Sequence, residues 1–363
     1  MSTTIAKLLA WALFCCALPA QSAEQSWNEL VAAARREGKV VVVGPPDSRV
    51  RQELPAAFKA QFGITVEYLG GRTSEAVAKL RTEHSAGTYT VDVALGGIQT
   101  MSTVLHREKM IDPLKPLLIQ PEVLDSSKWK KGKLWFVDPE QQYILRLFNT
   151  VEPSFSINTR EVKASVLRSA RDLLDPKWKG KIAVHDPTVP GSGSNTAARF
   201  YLQFGEQFVK QLYLDQKLSI SRDRRQLTDW LIHGTYPIAF DAEEDDVEQM
   251  RKEGLPIMAV YSLPDLPSVL SPGVGQVAMM KNAPHPNAAK LFINWIASKK
   301  GLEVYARARG ESPTRNDIDE ASFLPAAKIP RPGTHYFDIS DWEFTVTTKE
   351  KIRLQMKELL RAR

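Results

Sequence analysis

The chain has 363 residues, of which 43% are apolar and 25% charged, with no long like-charge block. That composition excludes disordered and fibrous architectures and supplies apolar material for about two globular cores. The net charge is +6, spread along the chain, which argues against nucleic-acid binding and for a mildly basic surface that draws in an anionic solute.

Residues 1–23 read as a secretory signal peptide. Lys7 precedes an apolar run from Leu8 to Leu18, Pro19 breaks it, and the small residues Ala20, Ser22 and Ala23 follow. The run is too short for a spanning helix, and cleavage is expected after Ser22 or Ala23. A lipoprotein signal is the rival reading, because Cys15 and Cys16 lie here, but bulky Phe14 stands before Cys15 where small residues are expected. Both cysteines of the chain fall within this segment, so the exported protein is expected to have no disulfide and no thiol chemistry. Removing Lys7 leaves 47 basic against 42 acidic residues. No later apolar run approaches membrane length, so a soluble periplasmic protein is expected.

Ser26 with Glu29 has the form of a capping box opening a helix whose face carries Trp27, Leu30, Val31 and Ala34, with Gly38 ending it. "KVVVVGPP" reads as a strand buried on both sides. "RQELPAAFKAQFG" reads as a helix kinked or restarted at Pro55, and "ITVEYLGG" as the next strand. "SEAVAKLRTEHSAG" reads as a helix with Ala76, Val77, Leu80 and His84 on one face, and "YTVDVALGG" as a third strand. This alternation predicts a parallel α/β sheet. "DSSKWKKGKLWFVDP" and "QYILRLFNTVEPSFSINTR" look like extended passages between domains. A second α/β rhythm follows: "KIAVH", a Gly/Ser-rich loop, a helix from Thr196, "LSIS", a helix to Gly234, and "YPIAF". "GQVAMM" is a further strand. "NAAKLFINWIASKKG" is a helix with Ala288, Leu291, Phe292, Trp295 and Ile296 inward, and a last helix runs from about Thr347 to Leu360.

Two α/β halves joined by extended crossings predict lobe 1 over 24–140, lobe 2 over 141–269, and a return to lobe 1 with a C-terminal helix over 270–363. Ligands of open α/β sheets bind at the carboxyl ends of the strands, and a cleft between the lobes is expected. The loops of interest are then Gly44–Ser48 (Pro46, Asp47), Gly70–Ser74, Gly96–Ile98 (Gly97), Asp186–Thr196 (Thr188), Ser219–Arg225 and Asp241–Asp246.

The sharpest of these is "DPTVPGSGSNTAARF". It has no Lys for a phosphate-binding P-loop, no third glycine for a dinucleotide fingerprint, and the wrong spacing for a nucleophile elbow. Gly191, Ser192, Gly193, Ser194 and Asn195 would instead supply N–H groups and hydroxyls at a helix N-terminus, suited to a carboxylate, phosphate or sulfate. The bland alternative is a capping loop with Ser194 or Asn195 as cap. In "LGGRTSEAV", Gly71 lets backbone approach a ligand, Arg72 offers a fork for an oxyanion, and Thr73 and Ser74 sit where a helix begins. Of Arg222, Arg224 and Arg225 in "ISRDRRQ", one is expected to reach a ligand, with Arg222 favoured because it stands beside the strand end, and Asp241 or Glu243 in "FDAEEDDVEQ" could accept from ligand hydroxyl or amino groups. The six histidines do not cluster at metal-ligand spacing. A hydrolase using Ser192 or Ser194 with His185 is the alternative from another class.

"LLDPKWKGKIAVHDP", "APHPNAAKLFINWIAS" and "GESPTRND" resemble, in order along nearly the whole exported chain, segments of periplasmic solute-binding proteins of ABC importers, in the extracellular solute-binding protein family 1 group around ferric iron uptake. The resemblance implies a type II periplasmic binding protein fold, with two α/β lobes, crossing strands and ligand in the cleft. It further implies a monomer that catalyses nothing, carries no cofactor, and hands its solute to a membrane permease. Family ligands include ferric iron, sugar phosphates, phosphonates, polyamines and thiamine. Iron binders of the group use two adjacent tyrosines; this sequence has no adjacent pair and offers Tyr236 with Asp241 and Glu243 if iron is the ligand.

Overall fold

The structure is a computed structural model that describes residues 18–71 and 73–361. The chain divides into two compact units. The first is the chain up to Asn149 together with Pro272–Leu324; the second is Thr150–Ser271 together with Pro325–Arg363. The boundaries therefore fall at 149/150 and 271/272 rather than at 140/141 and 269/270. The expected return of 270–363 to the first lobe holds only as far as Leu324, because the C-terminal helix packs on the second unit.

The first unit is built on a six-stranded sheet in the order β2-β1-β3-β13-β4, with β5 also paired to β13. The strands are β1 (Lys39–Gly44), β2 (Thr65–Gly70), β3 (Val93–Gly96), β4 (Ile111–Asp112), β5 (Leu145–Arg146) and β13 (Gln276–Met280). Strands β1, β2 and β3 run parallel, and β13 enters antiparallel beside β3. The valines of β1 are all buried, as a strand covered on both faces requires. Helices α1 (Leu18–Glu37), α2 (Ser48–Phe62), α3 (Thr73–Ser85), α7 (Pro286–Ala297) and α8 (Lys299–Arg309) belong to this unit.

Three local expectations change here. Helix α1 is already under way at Leu18, so Ser26 does not cap it and the expected cleavage positions lie inside a helix; Gln25 Nε2 donates instead to Glu29 Oε1 at 3.1 Å. Pro19 falls in its first turn, where a missing N–H costs nothing. Residues 1–17, with Cys15 and Cys16, lie outside the described residues. Helix α2 runs unbroken through Pro55; one lost backbone bond is outweighed by the buried face of Val50, Leu54, Phe58 and Phe62. Helix α7 is buried on more than one face, since Ile293 and Asn294 are as inaccessible as the five residues expected inward. The Asn294 amide is satisfied there by the Ile119 N–H at 2.8 Å and the Leu117 carbonyl at 2.8 Å.

The second unit carries a five-stranded sheet in the order β11-β7-β10-β8-β9 and a three-stranded one in the order β14-β12-β6. The strands are β6 (Thr150–Glu152), β7 (Phe155–Asn158), β8 (Ile182–His185), β9 (Ser219–Ser221), β10 (Ile238–Ala239), β11 (Ile257–Val260), β12 (Val269–Ser271) and β14 (Phe337–Asp338). Strands β9, β8 and β10 are parallel, and β7 is antiparallel to β10 and β11. Helices α4 (Ser192–Lys210), α5 (Arg224–Ile232), α6 (Glu244–Lys252) and α9 (Lys349–Arg361) complete it, with α9 packed against α4. The core clusters Phe155, Phe200, Phe208, Tyr213 and Phe240 with Ile339, Phe344 and Met356, which ties residues 325–363 to this unit. Among the described residues no helix is long and apolar enough to cross a membrane.

Candidate ligand site at the start of helix α4

Strand β8 ends at His185, and the chain turns through Asp186 into α4. The helix begins at Ser192, one turn earlier than Thr196, so the Gly/Ser residues form its first turn instead of a preceding loop. Neither Ser194 nor Asn195 is the N-cap. Gly191 holds that place, with φ 152°. Its N–H donates to Ser194 Oγ at 3.2 Å, and Ser194 Oγ donates back to the Gly191 carbonyl at 2.8 Å. Ser194→Ala should therefore lower stability by about 1 kcal/mol, read as a fall in the thermal unfolding midpoint; an unchanged midpoint would mean the pair is replaced without loss.

The turn is seated on the strand end. A Cβ on Gly193 would lie 2.2 Å from the His185 carbonyl oxygen, so only glycine fits. The His185 ring faces the same turn: Nδ1 lies 3.1 Å from Ser192 Oγ and accepts from the Gly193 N–H at 3.3 Å. Asp186 goes elsewhere. It accepts from the Thr188 N–H and hydroxyl at 2.8 and 2.6 Å and from Arg222 Nε at 2.9 Å. Burial pushes its carboxyl up, but these hydrogen bonds outweigh that and hold it below the usual range. Thr188 and Arg222 thus brace Asp186, and the Arg222 side chain is otherwise 77% exposed.

Asp241 follows β10 in the left-handed region, φ 63°, a conformation that stores strain in a residue other than glycine. Thr196 Oγ1 donates to its Oδ1 at 2.8 Å, and Arg224 Nε donates to its carbonyl at 2.8 Å. Its Oδ2 is buried without a partner, as is Asn195 Oδ1. Both oxygens belong to residues lining a cavity of about 40 Å³, together with Ser192, Thr196, Arg199 and Glu152. Burial raises the carboxyls of Asp241 and Glu152 above their ordinary values and lowers the Arg199 guanidinium to about 10.

The other expected residues have partners of their own or lie on other elements. Glu243 pairs at 3.2 Å with Arg224, the side chain that also donates to the Asp241 carbonyl, and Tyr236 packs its ring on Trp230 at 4.9 Å. Among the described residues no group of three or more His, Cys, Asp or Glu could hold a metal. Asp47 caps α2 through the Val50 N–H at 3.0 Å and pairs with Arg309 at 2.9 Å, a structural role. Pro46 is exposed, Gly71 half-buried, and Gly97 precedes the short helix Ile98–Thr100. Arg72 lies outside the described residues, and Thr73 and Ser74 open α3. Two residues at the α4 site escaped the sequence reading, Glu152 and Arg199; Arg224 was one of three arginines it offered. Arg199 was legible in principle, since it stands seven residues after Ser192 on the buried face of the helix, between Ala198 and Phe200. Glu152 sits in a crossing segment with no pattern to mark it.

Two α/β units between which the chain passes three times, with antiparallel β13 entering the first unit's parallel sheet after the chain returns from the second, define a type II periplasmic binding protein. The chain belongs to the bacterial extracellular solute-binding protein family, whose model matches residues 53–330. An uncharacterized protein of Haemophilus influenzae is 24% identical over 288 residues, covering 77% of this chain and 78% of that one. Among solved structures, the fold is similar to iron-bound HitA from Pseudomonas aeruginosa (TM-score 0.61, 15% identity, 86% of this chain and 99% of that one). It is also similar to AfuA from Actinobacillus pleuropneumoniae with fructose-6-phosphate bound (TM-score 0.61, 17% identity, 90% and 99%).

Proposed function

We propose that this solute-binding component of an ABC importer captures a small anionic solute, phosphate- or carboxylate-bearing, at the first turn of α4 and delivers it in the periplasm to a membrane permease. The observation that carries this reading is the N-terminus of α4 at Ser192, seated on the end of β8; beside it Asp241 Oδ2 and Asn195 Oδ1, both buried acceptors without a partner, suit a hydrogen-bond donor of the same solute. The helix end favours negative charge through its dipole and N–H groups. The strained, braced Asp241 orients a polar group of the same ligand. Structures of the same fold include both an iron-bound one and a fructose-6-phosphate-bound one, and the absence of an adjacent tyrosine pair from the sequence favours the organic anion.

Thermal shift of the metal-free protein against inorganic phosphate, sugar phosphates, dicarboxylates and ferric citrate tests this. An organic anion or phosphate should raise the unfolding temperature by several degrees at a concentration about 100 times Kd. Stabilisation by ferric citrate alone, abolished by a chelator, would sink it.

A further inference from the structure

The polar cavity beside α4 has a chemical character of its own. Ser192, Asn195, Thr196 and Arg199 stand at positions i, i+3, i+4 and i+7, so they form one stripe of the helix leading from its first turn two turns inward. Glu152, Pro153, Asp241, Val269 and Ile339 close the other walls. Arg199 is 2% exposed; its Nη1 and Nη2 each reach Ser154 at 3.3 Å, and its Nε is buried without a partner. Two unpartnered acceptors, Asp241 Oδ2 and Asn195 Oδ1, and one unpartnered donor thus belong to residues that line the slot. A cavity of about 40 Å³ admits a group the size of one to a few waters.

Charge narrows the occupant. Arg199 remains a cation at neutral pH, since burial brings it down only to about 10, and a cation in the wall disfavours an ammonium or a metal ion. Asp241 and Glu152 present carboxyl oxygens, which disfavour a carboxylate. An apolar tip would leave three buried polar atoms unsatisfied.

We propose that the slot is a subsite for a neutral hydroxyl of the solute, which donates to Asp241 Oδ2 or Asn195 Oδ1 and accepts from Arg199 Nε, and that Arg199 is a specificity-determining residue. This rests on the anion-capture reading above, with the anionic group at the first turn of α4 and the hydroxyl one step deeper.

A matched series tests it by calorimetric titration of the purified protein: ethyl phosphate, 2-hydroxyethyl phosphate, 2-aminoethyl phosphate and phosphoglycolate. The hydroxyl compound should bind about tenfold tighter than ethyl phosphate, and the ammonium and carboxylate compounds no tighter than it. Asp241→Asn and Arg199→Lys should each shrink the hydroxyl-to-ethyl ratio to about twofold; should Arg199→Lys fail to fold, Asp241→Asn alone decides. A preference for the ammonium or carboxylate tip, or a ratio unmoved by the folded variants, would overturn the inference. A crystal structure of the ligand-free protein provides a second reading: water about 3 Å from both Asp241 Oδ2 and Arg199 Nε supports the slot's donor–acceptor character, whereas a cation, an anion or a dry slot there refutes it. If no phosphate of the series binds while that water is present, the anion reading fails and the slot stands; if all four bind alike, the slot fails and the anion reading stands.

Discussion

Gly193→Ala should lower the stability of the second unit by about 3 kcal/mol and weaken solute binding more than tenfold. The added Cβ would meet three backbone atoms at the end of β8: the His185 oxygen at 2.2 Å, the His185 carbonyl carbon at 2.6 Å and the Asp186 oxygen at 2.7 Å. None of these can rotate away as a side chain would, so the whole first turn of α4 must lift from the sheet. That movement separates Ser192 from His185 and carries Asn195, Thr196 and Arg199 away from Asp241. Gly71→Ala is the matched control, because a Cβ there meets nothing within 4 Å. Urea denaturation reads the stability difference, and titration with whichever anion the thermal screen identifies reads the affinity. A Gly193→Ala protein that unfolds at the wild-type midpoint would show that the turn is not seated on the strand as described.

Lys349→Met should stabilise the protein at neutral pH by about 2–3 kcal/mol. Lys349 opens α9 at 6% exposure, near the Phe344 ring at 5.9 Å, and its neighbour Glu350 is taken by Arg353. Burial therefore lowers its ammonium from 10.5 to about 8. Below about pH 8 the lysine is charged in both folded and unfolded chains, and folding bears the full desolvation penalty. Between about 8 and 10.5 the folded chain releases the proton while the unfolded chain keeps it, so the penalty fades; above that range both are neutral. The gain from Lys349→Met should thus be constant from pH 6 to 8 and shrink toward zero by about pH 10.5. Thermal melts across that range check the sign, and a gain that grew with pH would contradict it.

Much of the architecture was legible because burial writes itself into local pattern. The valine run of β1 and the apolar runs of β3, β8 and β13 read as strands covered on both faces, and the Gly/Ser stretch after β8 could be read as a helix start by eliminating what it lacks. The start itself was placed a turn late, because helix entry depends on how Gly193 fits against His185, and that contact joins residues eight apart through the strand's end. The site was half legible for a similar reason. Asp241 stands out in an acidic run after a strand, but the run "ISRDRRQ" does not say which of its arginines turns toward Asp241; that depends on where Asp223 caps α5, and the residue is Arg224.

Local periodicity, the elimination of nucleotide and hydrolase motifs, and the ordered family segments were thus fixed by the sequence alone, because each depends on residues close along the chain. Tertiary structure decided the rest. It assigned residues 325–363 to the second unit through Phe344, Ile352 and Met356, and it brought Glu152, Arg199 and Asp241 to one cavity from a crossing strand, a helix and a strand end. Those meetings are set by packing between segments far apart in sequence, and no short-range pattern encodes them.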